Sequence, residues 1–398
     1  MILTIILILF LIALTYFIID KLKIRPRDKR FLNRLNIYHY FFYLVYCLYT
    51  LNNDTDTTHY YNTVALSLSN SFMSFFGIGT QFMFFIGYPF IKWFGMSYYS
   101  IMALFSWFGF IGFLFFFLAI NSLLPSRNIR ILKIDAVYLV FLFPNMHFWT
   151  SYFGKDTLLF LGLGIFFWGI ANLKKNVLYI ALSLLLIFFV RPHIVFAILI
   201  SSVFIVIFLK SKITTAQRVI IGLVLVVSIA LSINKVFEYT KVDINDPVES
   251  FNNSAMNRSE RLSSKSGSGV ALSSYSLPLQ VFTFLYRPLF IDSPGVLGLL
   301  SSFENFIILI LTIKVLFSKR RRFIFKSHNM QLYFAVFYFS ITTLMLSSSL
   351  SNLGIIIRQK NMVIIFLLTM ILYSLSVEQK IKEIKRAKLR ASLTPNIT

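Results

Sequence analysis

The chain has 398 residues, 57% of them hydrophobic and only 13% charged, with 46 Phe and a net charge of +23. No soluble fold buries that much apolar side chain behind so little polar surface, so a polytopic, all-α membrane protein is expected. The charge is no nucleic-acid footprint. Of the 38 basic residues, 26 fall in six short clusters at 21–34, 127–133, 174–175, 210–218, 319–326 and 380–390. That is how a polytopic protein distributes Lys and Arg over its cytoplasmic loops.

About eleven spanning helices are expected, at 1–19, 37–51, 100–120, 136–149, 157–171, 177–190, 194–209, 219–233, 295–317, 331–346 and 355–375. Residues 1–19 have basic residues behind them and none ahead, which suits a first span starting outside rather than a signal peptide. The odd count leaves the basic tail, 377–398, in the cytoplasm. Residues 81–95 are apolar but interrupted by Gly87, Pro89 and Lys92. They read as a re-entrant or interfacial segment after an amphipathic stretch at 62–76. The polar stretch 234–278 starts acidic (Asp243, Asp246, Glu249) and turns rich in Ser and Gly. It is too poor in apolar residues for a core and is expected as one large extracytoplasmic loop, of the length of lids and binding loops. All 398 residues read as a single membrane domain with these two appendages. The lone Cys47 excludes an intrachain disulfide and a Cys-based metal site.

Most other polar groups fall on the face opposite the basic clusters. The first outer loop holds Asp54, Asp56, His59, Tyr60 and Tyr61. Two carboxylates two residues apart beside a His can take a divalent metal, bind a sugar hydroxyl or act as a general base; in a plain polar loop they are simply solvated. Next comes Trp149 to Asp156, ending Gly154-Lys155-Asp156 between two spans. Lys155 and Asp156 are either a self-compensating ion pair or a cation aimed at an anionic headgroup and oriented by its acid. Arg191-Pro192-His193 interrupts two apolar stretches. An Arg near the membrane centre costs about 2.5–3.5 kcal/mol, and a Pro frees backbone carbonyls that need protein or water, so both suggest a cavity. Tyr286-Arg287-Pro288 repeats the pattern with Asp292 and Glu304 nearby, and Arg358-Gln359-Lys360-Asn361 marks the outer end of the last span. Lys155, Arg191, Arg287 and Arg358 thus enter one leaflet from four helices. Arg grips phosphate oxygens in a fork, and a diphosphate takes several such donors. No nucleotide-binding loop and no His or Cys cluster for zinc occurs.

In these motifs the chain resembles, over most of its length, bacterial polysaccharide polymerases of the Wzy and EpsG-like type, within the broader GT-C membrane glycosyltransferases. The resemblance rests on Asp54 and Asp56 in the early outer loop, the Trp149–Asp156 turn, Arg191-Pro192-His193, Arg287-Pro288 and Arg358-Gln359-Lys360. It implies a transferase in the bacterial inner membrane that polymerises undecaprenyl-diphosphate-linked oligosaccharide units outside the cytoplasm, without a cofactor. An acid of the first outer loop, Asp54 or Asp56, would be catalytic, with Asp56 nearer His59 and the Tyr pair. Lys155, Arg191, Arg287 and Arg358 would hold the diphosphate, supported by His59, Asp156, His193, Gln359 and Lys360. The implied partners are lipid-linked donor and acceptor glycans, membrane lipids, and a chain-length regulator and flippase of the same pathway. Many Wzy polymerases use Arg residues in two large outer loops; this chain has one, carrying Arg258 and Arg261. Two other expectations stay open. One is a GT-C enzyme adding one sugar from a polyprenyl phosphate, often with a divalent metal. The other is a lipid-linked oligosaccharide flippase, which would show internal repeats and cations along a central path.

Overall fold

The computed structural model describes residues 2–68, 71–131, 133–208, 222, 275–293, 295–317, 319, 321–325, 329–349 and 353–393. The expected span 219–233 except residue 222, the basic cluster 210–218 and the part of the long polar loop that carries Arg258 and Arg261 lie outside the described residues.

The described chain is helical apart from one two-residue ladder. Its elements are α1 (Ile2–Lys21), α2 (Pro26–Leu51), α3 (Asp56–Ala65), α4 (Thr80–Tyr88), α5 (Tyr98–Leu123), β1 (Arg130–Ile131), β2 (Ile134–Asp135), α6 (Ala136–Phe141) and α7 (Pro144–Phe148). They continue through α8 (Lys155–Gly169), α9 (Leu173–Val190), α10 (Pro192–Phe208), α11 (Leu277–Tyr286), α12 (Gly295–Leu316), α13 (Arg321–Phe325), α14 (Met330–Ser349), α15 (Leu353–Gln359) and α16 (Asn361–Leu393). Among the described residues six stretches are long and apolar enough to cross a membrane: α1, α5, the α8–α9 pair, which doubles back on itself, most of α12 and α14, and α16. The protein is a multi-pass membrane protein by this measure.

Two segments differ from the sequence expectation. Residues 136–149 do not form one span. The antiparallel β1–β2 ladder leads into α6, capped by Asp135, whose Oδ1 accepts from the Val137 amide at 3.0 Å. Pro144 then starts α7, because it lacks an amide hydrogen and holds Phe143 extended (φ −64°, ψ 115°). The segment expected as the first outer loop is also more ordered than expected. Thr55 caps α3 through the Thr58 amide, so Asp56 opens a helix that ends at Ala65, well short of the amphipathic stretch expected to run to 76. The 81–95 segment forms the nine residues of α4 and a five-residue π turn at Pro89–Trp93. At 1.5 Å per residue these cover about 21 Å, too little to cross a bilayer as a straight helix.

The core lies around α5 and α16, the most buried of the six stretches. The α5–α8 contact is close because glycines face each other there. A Cβ on Gly164 would stand 2.7 Å from the Gly112 carbonyl oxygen, so only glycine lets the two backbones meet. Close small-residue packing of this kind replaces the missing hydrophobic drive between helices in lipid.

α2, α5 and α16 run between two chemically distinct ends. At one end Arg127 lies 3.3 Å from Asp28 and 3.6 Å from Asp135, and Ser126 donates to Glu383 at 2.9 Å. These contacts gather the basic clusters at 21–34, 127–133 and 380–390. At the other end the Thr57 hydroxyl donates to the Phe153 carbonyl at 3.1 Å, and the Gly79 amide donates to the Phe189 carbonyl at 2.7 Å. The α3 start, the turn before α4, the 149–154 turn and the end of α9 therefore meet.

Candidate functional site

Asp156 is the hub of that second end. It lies in the first turn of α8, where a carboxylate is favoured by the helix dipole, and it is buried. One oxygen accepts from Arg191 Nη2 at 2.6 Å; the other accepts from Tyr152 at 2.6 Å and from Arg358 Nε. The Tyr152 ring can fold back to reach it because residue 154 is glycine: a Cβ there would stand 2.0 Å from the ring. Tyr152 also stacks on Tyr46, with centroids 4.3 Å apart and planes 2° from parallel, which fixes the hydroxyl. Both oxygens of a buried acid are thus held by two guanidinium groups and a phenol. A buried charge persists only with partners of this kind.

The two Arg residues arrive by different local means. Arg191 ends α9, and Pro192 forces it out of helical geometry (φ −151°, ψ 88°), turning its side chain inward, where Nη1 also lies 3.6 Å from the Met362 sulfur. Arg358 comes from the short α15. Its guanidinium stands 5.6 Å from the Trp149 ring centroid and 5.9 Å from that of Tyr152. Its Nη2 lies 2.8 Å from Asp56, whose side chain is 46% exposed. Lys155 donates to the Thr80 hydroxyl at 2.9 Å and lies over Tyr60 at 6.0 Å. Two guanidinium groups therefore hold Asp156, one of them also reaches Asp56 at the exposed rim, and the Lys155 ammonium is directed to Thr80 beside them.

A second buried network braces Arg358. The Asn145 amide donates to Glu304 at 2.6 Å, and the Asn145 side chain donates to the Ile357 carbonyl at 2.9 Å and to Asn361 at 3.0 Å. Lys360 donates to Asn305, which donates to the Pro288 carbonyl at 2.7 Å. α7, α12, α15 and α16 are joined by these bonds immediately beside Arg358.

The structure thus brings together Asp56, Lys155, Asp156, Arg191 and Arg358. Arg287 stands apart, ion-paired with Asp292 in its own turn. Asp54 is exposed in front of the Thr55 cap, without an ion pair or hydrogen bond among the described residues. His59 is exposed on α3, its ring 5.6 Å from that of Phe84. His193 sits half-buried in the first turn of α10, and Gln359 is half-buried at the end of α15. Lys360 serves the bracing network. Among the described residues no group of three or more His, Cys, Asp and Glu is placed to hold a metal.

Nothing in the sequence singled out Tyr152, Asn145 or Asn305. Glu304 carried a usable signal, being the one acid in the apolar stretch 295–317. The Tyr152–Asp156 contact carried none, because nothing local distinguishes it from a belt tyrosine. No family model, curated protein or solved structure matches this chain.

Proposed function

We propose that the protein is a membrane glycosyltransferase that polymerises undecaprenyl-diphosphate-linked oligosaccharide units into a surface polysaccharide. In this reading the Asp156 end faces outward from a bacterial cytoplasmic membrane, the basic end faces the cytoplasm, and the spans number about eleven. The observation that supports it is the meeting of Arg191 and Arg358 on Asp156, with Asp56 on the exposed rim and the neighbouring Lys155 held by Thr80.

The donor diphosphate competes with Asp56 for the Arg358 fork and takes Lys155 as a point charge. Asp156 keeps both guanidinium groups in position through the exchange. The displaced Asp56 carboxylate accepts the proton of the acceptor hydroxyl. The hydroxyl oxygen bonds to the donor's anomeric carbon as the bond from that carbon to the diphosphate oxygen breaks. The electron pair leaves with the lipid diphosphate, whose growing charge meets cations already oriented toward it.

The test is the surface glycan of a deletion strain complemented with the wild-type gene or with Arg358→Ala. Single capped repeat units in the deletion strain, restored to long chains by wild type alone, are the expected result. Full-length polymer in the deletion strain would end this proposal. Complete loss of surface glycan would point instead to a single-sugar transferase acting earlier.

A further inference from the structure

We propose that a cleft at the basic end of the bundle binds the phosphate of an anionic phospholipid headgroup. The cleft lies between the end of α1 and the start of α2. Its volume is about 420 Å³, and its polar lining comes from Tyr16, Asp20, Lys29, Arg30 and Asn33. That size falls within the range of small-ligand sites, about 300–1,000 Å³.

Charge selects an anion. The one acid of the lining, Asp20, is offset by Lys29, whose Nζ lies 3.7 Å from its carboxylate. Arg30 is exposed and has no ion pair or hydrogen bond among the described residues. Lys21, Lys23, Arg27 and Arg34 add positive charge in the same stretch of chain. Asp28, the other acid there, is buried and taken by Arg25 and Arg127. Basic pockets between membrane helices at the headgroup level are suited to anionic lipids.

The apolar surroundings select a lipid over a free ion. α1 is apolar along its length, yet only 22% of it is buried by the rest of the protein. Phe10 and Phe17 are each 60% exposed, so this flank faces acyl chains in a bilayer. The cleft stands where that flank ends. Lys21 lies 5.1 Å from the Phe17 ring centroid, its stem along apolar surface and its ammonium at the polar boundary, and Tyr16 sits at the same level. A lipid whose chains lie along α1 presents its phosphate to Arg30 and Lys29, with the Asn33 amide and Tyr16 hydroxyl as further donors. Inorganic phosphate would meet the same donors but lose the chain contacts.

The experiment uses the full chain in a neutral detergent, titrated with phosphatidylglycerol, phosphatidylcholine or inorganic phosphate, with retained lipid counted by native mass spectrometry. Phosphatidylglycerol should be retained in preference to phosphatidylcholine, and inorganic phosphate should not displace it. Arg30→Gln should weaken retention about fivefold, the effect of one basic contact at a membrane surface. Asn33→Phe, which fills the cleft without changing charge, should weaken it to a similar extent, while Lys388→Gln, exposed on α16 and outside the cleft lining, should not. Equal retention of the two lipids, or a loss in Lys388→Gln matching that in Arg30→Gln, would show generic charge attraction and overturn the site. Loss in Arg30→Gln without loss in Asn33→Phe would overturn the cleft as its location, and displacement by inorganic phosphate would overturn the lipid as its ligand.

Discussion

Arg358 Nη2 stands 2.8 Å from an Asp56 carboxylate oxygen, while Nε of the same guanidinium engages Asp156. One side chain thus links the exposed rim of the site to its buried hub. Arg358→Ala should abolish polymer while leaving protein in the membrane. Arg358→Lys should rescue poorly, because an ammonium is a point charge and cannot serve both carboxylates in the same fork. Glycan length profiling beside a membrane immunoblot reads both, and normal polymer from the Ala variant would reduce Arg358 to a structural role.

Asp56 and Asp54 separate cleanly. Asp56 lies within reach of the cations, whereas Asp54 is exposed before the cap of α3. Asp56→Asn keeps the shape and removes the basicity, so the rate of chain extension should fall about 10²–10⁴-fold, the usual loss with a general base. Asp54→Asn should stay within about threefold of wild type, since exposed substitutions away from partners change little. Chain extension measured with a lipid-linked oligosaccharide in proteoliposomes compares them. Equal activity in the two variants would remove Asp56 as the base.

Asp156→Asn tests the hub through stability rather than rate. Removing one partner of a buried ion pair leaves the other charge uncompensated, at a cost of about 3–5 kcal/mol. Here Arg191 loses its one carboxylate partner among the described residues, and Arg358 is left with Asp56 alone. The variant should show a lower thermal midpoint in detergent and reduced membrane yield, and Tyr152→Phe should show a smaller loss in the same direction, because only one hydrogen bond is removed. An Asp156→Asn protein as stable as wild type would mean that the Arg residues find other partners.

At the opposite end, Asp28 is fully buried and accepts from Arg25 at 2.9 Å and from Tyr138 at 2.7 Å, with Arg127 at 3.3 Å. Burial alone would raise its carboxyl. The hydrogen bonds from Arg25 and Tyr138 and the charge of Arg127 outweigh that and hold it below the usual carboxylate range. A depressed folded-state value means the stabilisation is complete above the unfolded value, about 3.9, and is lost as pH falls through the folded one. The gap in thermal midpoint between wild type and Asp28→Asn should therefore be constant above about pH 5 and narrow below about pH 4. A gap that does not change with pH would show that Asp28 stays charged throughout or contributes by shape alone.

The membrane class and the two-ended distribution of charge were legible in the residues themselves, because hydropathy and Lys/Arg clustering are local properties that add along the chain. The same reading placed Asp56, Lys155, Arg191 and Arg358 on one face, since each sits where an apolar stretch is interrupted. What tertiary structure alone decided was the pairing. Asp156 and Arg358 are 202 positions apart, and Asn145 and Glu304 are 159 apart. No periodicity or spacing connects such residues; they meet because α8, α12 and α15 pack where their backbones fit. The same reason explains Arg287, which looks like its fellow cations in sequence but finds Asp292 five residues away, and residues 136–149, whose apolar run conceals the break at Pro144. A span can be recognised from what it contains, whereas an ion pair depends on which neighbours the folded chain supplies.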